Sequence, residues 1–224
     1  MSSFENPNFI TVEGVDGAGK STHVNTLVQQ LKDLGYDVVH TREPGGTPFG
    51  EKLRQQVLQD PMEPITECML MFAARTELLR HVVRPALDAG KIVVCDRFTD
   101  STWAYQGGGW GAPRELIAAQ EAAVHGDLQP GLTLLFDLPV EESLRRLGLT
   151  GKAPDKFESQ RPEFFQRVRD AYLDRSAAPR FRIVRAEQTP ELVARQVENF
   201  LAEHLPRLRP AKALGGARSG PRRG

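Results

Sequence analysis

The sequence predicts a three-layer α/β/α fold around a five-stranded parallel sheet. Two observations carry that expectation. Short apolar, β-branched runs alternate with longer stretches of helical spacing along the whole chain. The first such run also leads into Gly14-Val15-Asp16-Gly17-Ala18-Gly19-Lys20-Ser21-Thr22, which reads G-x-x-x-x-G-K-S and is followed by a helix. At 224 residues the chain is long enough for one domain with a sizeable core.

The first strand is Phe9-Ile10-Thr11-Val12-Glu13. After the glycine-rich loop, Val24, Leu27, Val28 and Leu31 mark the apolar stripe of the first helix, which Gly35 ends. The loop glycines let the backbone turn tightly and point its N–H groups at an anion. The helix N-terminus adds the positive end of its dipole. In such a loop Lys20 reaches the outer phosphates of a nucleotide and Ser21 offers its hydroxyl to Mg²⁺.

Asp37-Val38-Val39-His40-Thr41 is the second strand, and it runs into Arg42-Glu43-Pro44-Gly45-Gly46-Thr47, a loop fixed by proline and paired glycine. A short helix is expected over about 50–58, with punctuation at Pro61 and Pro64. A long helix follows from about 65 to 89. Its apolar face contains Cys68, Met71, Phe72, Leu78, Leu79, Val82 and Val83, and Arg75 lies on that same face. A guanidinium among core positions needs a hydrogen-bonding partner, and its aromatic neighbour suits a flat ligand.

Lys91-Ile92-Val93-Val94-Cys95 is a continuous apolar run suited to a buried parallel strand, and it ends in Asp96-Arg97-Phe98. Residues 101–106 read as helical, with Gly107-Gly108-Gly109 as the break. Strands at 132–136 and 181–184 alternate with helices at 114–124, 140–147, 163–176 and 191–205. The stretch 148–160 is polar, with Gly151, Lys152, Pro154 and Lys156, and suits a mobile lid. One domain is expected over 1–206, and a basic, disordered tail over 207–224.

Twenty-nine basic residues balance twenty-nine acidic ones, so bulk charge points to neither nucleic acid nor a membrane. The tail holds Arg207, Arg209, Lys212, Arg218, Arg222 and Arg223 and no acid. It reads as solubilising, and no nucleic-acid partner is expected. The start lacks a basic n-region and an apolar core, and no run is long enough to span a membrane. Cys68 and Cys95 sit among apolar neighbours without metal-ligand spacing, as reduced thiols of a cytoplasmic protein would. The five histidines form no metal or catalytic constellation.

In parallel α/β sheets ligands bind at the carboxyl ends of the strands. Three strand ends here carry chemistry: the phosphate loop, Arg42, and Asp96 with Arg97. One triphosphate needs only the loop and Lys20. The surplus arginines Arg42, Arg75 and Arg97 suggest a second anion nearby. Two facing anion sites fit phosphoryl transfer between two bound molecules better than hydrolysis of one.

At these residues the sequence resembles the bacterial thymidylate kinases, within the P-loop nucleoside monophosphate kinases, up to about residue 205. The specific pieces are Thr41-Arg42-Glu43-Pro44-Gly45-Gly46-Thr47, Asp96-Arg97-Phe98 and Ala104-Tyr105-Gln106-Gly107, in order after the loop. The resemblance implies transfer of the γ-phosphoryl group of ATP to dTMP, a Mg²⁺ requirement and a homodimer. It implies that Gly14, Val15, Asp16, Gly17, Ala18, Gly19, Lys20, Ser21 and Thr22 hold ATP and its metal. Asp16 would also sit near the acceptor sugar and phosphate. Arg42 and Arg97 match arginines near the acceptor phosphate, and Asp96 a carboxylate near the metal and its water. Arg75 matches an arginine that hydrogen-bonds thymine, and Tyr105 an aromatic against the deoxyribose. Ser101 and Gln106 would line the same pocket.

Three positions depart from the family pattern. Phe98 stands where tyrosine is usual, so a hydroxyl is lost. The aromatic that stacks on thymine usually lies four residues before the helix arginine. That position is Met71 here, so either Met71 or Phe72 can cover the base, and Phe72 is preferred. The loop has Gly17 and Ala18 where some members place an arginine, and the lid offers Lys152 and Lys156 instead, flanked by Arg145, Arg146 and Arg161. Lys152 and Lys156 are therefore expected as catalytic cations beside Lys20, Arg97 and Asp16. Two other readings compete: a kinase for another nucleoside monophosphate or deoxynucleoside, and a non-catalytic ATP-binding regulator. A GTPase is excluded because no asparagine begins an N-K-x-D motif.

Overall fold

The computed structural model describes residues 4–149, 151 and 155–209. Five strands form one sheet in the order β2-β3-β1-β4-β5: β1 (Phe4–Gly14), β2 (Val38–Arg42), β3 (Ile92–Asp96), β4 (Leu128–Asp137) and β5 (Phe181–Arg185). Every pairing is parallel. The register aligns Val12 with Asp96 and Asp96 with Arg42, so the chemistry-bearing strand ends share one edge.

Alternation along β1 builds both faces of the core. Ile10 and Val12 pack with Val24, Leu27, Val28 and Leu31 of α1 (Lys20–Asp33). Phe9 points the other way, against Val93, Cys95, Leu78, Leu79 and Val83. Thr11 and Glu13 share the Phe9 side by period two, which sends a carboxylate into the interior.

Thr47 caps α2 (Pro48–Gln59) by accepting the Gly50 N–H at 3.0 Å. The long helix runs as α3 (Pro64–Leu78), a wide π turn over Leu79–Val83 and α4 (Arg84–Asp88). Pro85 has no N–H to donate, and the helix widens just ahead of it. After β3 come α5 (Thr99–Thr102) and a π-helical segment, Trp103–Gly109. The three glycines therefore do not break the helix there. A side chain on Gly108 or Gly109 would lie 2.6 Å from Ala171 or 2.4 Å from Phe164, so these glycines admit the helix α8 (Pro162–Arg175). The remaining helices are α6 (Arg114–His125), α7 (Val140–Gly148) and α9 (Pro190–His204).

Residues 207–209, expected in the tail, pack against the domain. Leu208 is buried in the core, Arg207 pairs with Glu5, and the backbone of Arg209 exchanges two hydrogen bonds with the Asn8 amide, at 2.7 and 2.8 Å. Residues 210–224 lie outside the described residues. Among those described, no helix is long and apolar enough to cross a membrane.

Candidate active site

The glycine-rich loop joins β1 to α1 as expected. Gly14 adopts φ 135°, and a Cβ there would lie 2.4 Å from the Phe136 carbonyl oxygen, so only glycine fits. Lys20 is buried, and its ammonium donates to the Gly14 and Val15 carbonyls at 2.9 Å each. Burial and the Arg97 cation push its pKa down to about 8, against the pull of the Asp16, Asp96 and Glu13 carboxylates. Ser21 and Thr22 are exposed on the first turn of α1.

Arg97, at the end of β3, organises the site. It has φ 69°, a left-handed conformation uncommon outside glycine. Its backbone N–H donates to Val12 at 2.9 Å, and the Cys95 thiol donates to its carbonyl at 3.0 Å. The guanidinium is thereby turned onto the phosphate loop. One nitrogen donates to the Gly14 carbonyl, the Tyr172 hydroxyl and Ser101 Oγ, at 3.0, 3.1 and 3.3 Å. The other contacts Asp16 Oδ1 and the Tyr105 hydroxyl. Tyr105 in turn donates to Asp16 Oδ2 at 2.7 Å. Burial works to raise the Asp16 pKa, but the Arg97 and Lys20 cations outweigh it and hold the carboxyl below its usual range.

Beneath this cluster lies Glu13, fully buried. It accepts the Ser101 hydroxyl at 2.6 Å, the Phe98 N–H at 2.7 Å and the Tyr172 hydroxyl at 3.0 Å. Burial and the nearby Asp100 carboxylate raise its pKa to about 7. Between about pH 4.5 and 7 the folded chain thus holds a proton that the unfolded chain has released. Stability should fall as pH rises through that window, by roughly 3 kcal/mol for this group. Urea unfolding of the wild type and of Glu13→Gln between pH 5 and 8 checks this. The wild type should lose stability relative to the variant as pH rises, and a constant difference would refute it.

These residues open into a cleft between the glycine-rich loop, α2 and α3. Asp16, Arg97, Ser101 and Tyr105 line it near the loop, with Arg54 from α2. Met71, Val57, Leu58 and Phe157 form apolar wall, and Glu43, Gln106 and Asp155 add polar atoms.

Of the expected site residues, Asp16, Arg97, Ser101, Tyr105, Gln106 and Met71 meet at this cleft. Phe72 does not, contrary to the preference drawn from sequence. It packs into a separate cluster with Cys68, Ala112 and Ile117, so Met71 is the neighbour that faces the cleft. Arg42 is half exposed and paired with Glu51 at 2.8 Å, outside the lining. Arg75 is fully buried, and Phe72 and Phe98 flank its guanidinium, at 4.6 and 5.3 Å from their ring centres. Its Nε donates to Glu43 at 2.8 Å and its Nη2 to Thr102 at 2.9 Å, while Nη1 has no partner. Phe98, lacking the usual hydroxyl, packs edge-on against Phe9.

Lys156 of the lid is not a free cation. Lys156 pairs with Glu67 at 2.5 Å and donates to the Asp60 carbonyl at 3.1 Å. The Glu67 carboxylate of α3 already neutralises it. Lys152 lies outside the described residues. Arg145 and Arg146 both pair with Glu142.

Sequence reasoning missed Glu13, Glu43, Arg54, Phe157 and Tyr172. A lone carboxylate in an apolar strand was a signal for Glu13. Glu43 lay in a motif whose arginine drew the attention. Tyr172 shares a helical face with Phe165 and Val168, and nothing in that spacing tells where its hydroxyl goes.

Among the described residues no three His, Cys, Asp or Glu side chains cluster as a metal site. The donors still fit a Mg²⁺ held mainly by phosphate oxygens and water. Asp96 has a buried Oδ1 without a partner, at the end of the strand that pairs with β1, whose loop leads to Ser21 on α1.

The chain matches the family model described as thymidylate kinase over residues 12–197. It is 52% identical to a thymidylate kinase of Methylobacillus flagellatus over 197 residues, covering 87% of this chain and 97% of that protein. A Bordetella pertussis thymidylate kinase is 51% identical, with 87% and 94% covered. A Pseudomonas putida thymidylate kinase is 50% identical over 206 residues, with 90% and 98% covered. The glycine-rich loop after β1 and Arg97 at the end of β3 border one cleft, in agreement with that match, and the chain belongs to the thymidylate kinase family.

Proposed function

We propose that this chain transfers the γ-phosphoryl group of ATP to dTMP, giving dTDP and ADP. The observation that carries the reading is the polarity of one cleft. Its lining brings together the Arg97 and Arg54 guanidiniums, the Tyr105 and Ser101 hydroxyls and apolar side chains around Met71. A nucleoside monophosphate needs the same three kinds of partner, for its phosphate, its sugar and its flat base.

The loop amides and Lys20 would hold the ATP phosphates, and Ser21 and Asp96 would hold Mg²⁺. When bound, that ion neutralises phosphate oxygens. Arg97, fixed by Asp16, meets the acceptor phosphate. Tyr105 lies against the deoxyribose, and Met71 covers the base in place of Phe72. Arg75 keeps one free donor and Gln106 one free acceptor, a pair that suits the O4 and N3–H of thymine. The acceptor phosphate is already anionic, so catalysis rests on alignment and charge neutralisation rather than on a general base. The chain works in the cytoplasm, as a homodimer.

A coupled ADP-release assay with ATP and Mg²⁺ tests this, offering dTMP, dUMP, UMP, dCMP, AMP and GMP in turn. The expected result is a strong preference for dTMP. Preference for another base would overturn the substrate, and no turnover with any of them would overturn the activity.

A further inference from the structure

Glu67 is a carboxylate that the reaction does not use, yet it is buried, 1% exposed, against Gln106 of the cleft lining. It sits in the first turn of α3. Its two oxygens go to different parts of the fold. Oε1 accepts from Gln106 Nε2 at 2.7 Å. Oε2 pairs with Lys156 of the lid at 2.5 Å.

A carboxylate offers acceptors only. Against it the Gln106 amide must present its NH₂ group, so the orientation of that amide is fixed by its partner. Gln106 Oε1 is then left buried and without a partner, on a side chain that lines the cleft. A free acceptor there matches the N3–H of thymine and opposes the unprotonated N3 of cytosine.

The second oxygen reaches the lid. Lys156 is followed by Phe157, which is buried, lines the cleft and packs edge-on against Tyr105 at 5.6 Å. Asp155 braces the turn by accepting the Phe157 and Glu158 N–H groups at 2.8 and 2.9 Å. The Glu67–Lys156 pair thus holds a preformed turn over the cleft.

We propose that Glu67 is a positioning residue: it fixes Gln106 in the one amide orientation that leaves an acceptor for the base, and through Lys156 it fastens the lid over the same cleft. This rests on the acceptor-nucleotide reading above and adds to it a single residue through which base recognition and lid closure are linked.

Glu67→Gln tests the first arm, because a carboxamide both donates and accepts and so releases the Gln106 orientation. The ratio of kcat/KM for dTMP over dCMP should fall about tenfold. KM for dTMP should rise about tenfold, while kcat changes less than about threefold. Glu67→Asp stays acceptor-only and should hold the base ratio near the wild-type value although KM rises. A merely structural role would not separate these two variants. Unchanged ratios in Glu67→Gln would overturn this arm.

Lys156→Met tests the second arm. Cleavage at Phe157 by limiting chymotrypsin should quicken about tenfold, with the base ratio unchanged. Cleavage at the wild-type rate would overturn the latch. Thermal melting of each variant is recorded. If Glu67→Gln does not fold, Glu67→Asp and Lys156→Met decide the latch by the same cleavage rate. A wild-type enzyme that prefers another base overturns the substrate reading and the first arm with it, while the cleavage rates still judge the second.

Discussion

Arg97→Lys is expected to lower kcat for dTMP phosphorylation by about 10³-fold. The guanidinium makes five contacts with two nitrogens: the Gly14 carbonyl, Ser101, Tyr172, Asp16 and Tyr105. A lysine ammonium has three donors on one nitrogen and no planar fork, so it cannot span the loop carbonyl and the cleft together. The backbone cost of the left-handed conformation is the same for both residues, and lysine keeps the charge. What changes is the geometry of charge at the acceptor phosphate. Affinity for ATP, which rests on the loop and Lys20, should change less than about threefold. Steady-state kinetics and nucleotide titration on the same preparation check this. A kcat within tenfold of the wild type would remove Arg97 from the transition state.

Glu43→Ala is expected to destabilise the fold by about 3–5 kcal/mol. Arg75 is wholly enclosed, and among the described residues Glu43, 3% exposed, is the only carboxylate in an ion pair with it. Burial alone would push Glu43 towards the neutral acid, and the Arg75 charge pulls against it. Removing the carboxylate leaves an uncompensated cation between Phe72 and Phe98, with Thr102 as its remaining partner. For a domain of this size the loss should lower Tm on the order of 10 °C. Replacing both groups, as Glu43→Ala with Arg75→Met, should recover much of it, because no charge is then buried. Calorimetry of the single and double variants separates the two outcomes. A single variant that melts with the wild type would show that the pair carries no stability.

The sequence by itself determined the sheet, the phosphate loop and the family. Strand and helix periods are local, so five apolar runs between amphipathic stretches could be placed within a few residues. The loop motif needs only its own glycines, Lys20 and Ser21. Arg97, Asp16 and Tyr105 were legible because their motifs fix them to strand and helix ends.

The tertiary structure decided where the charges go. Periodicity put Met71, Phe72 and Arg75 on one helix, but α6 takes Phe72 inside, Glu43 and Thr102 take Arg75, and Met71 is left at the cleft. A free cation and a paired one read alike in sequence. Only the fold brings Glu51 to Arg42 and Glu67 to Lys156. The triple glycine looked like a break because its local cost is real, yet close approach of α8 requires it. Glu13 and Tyr172 are 159 residues apart and meet through one hydrogen bond beneath Arg97. Such long-range pairings obey no local period, because a buried polar atom takes whichever partner the packed chain brings within reach.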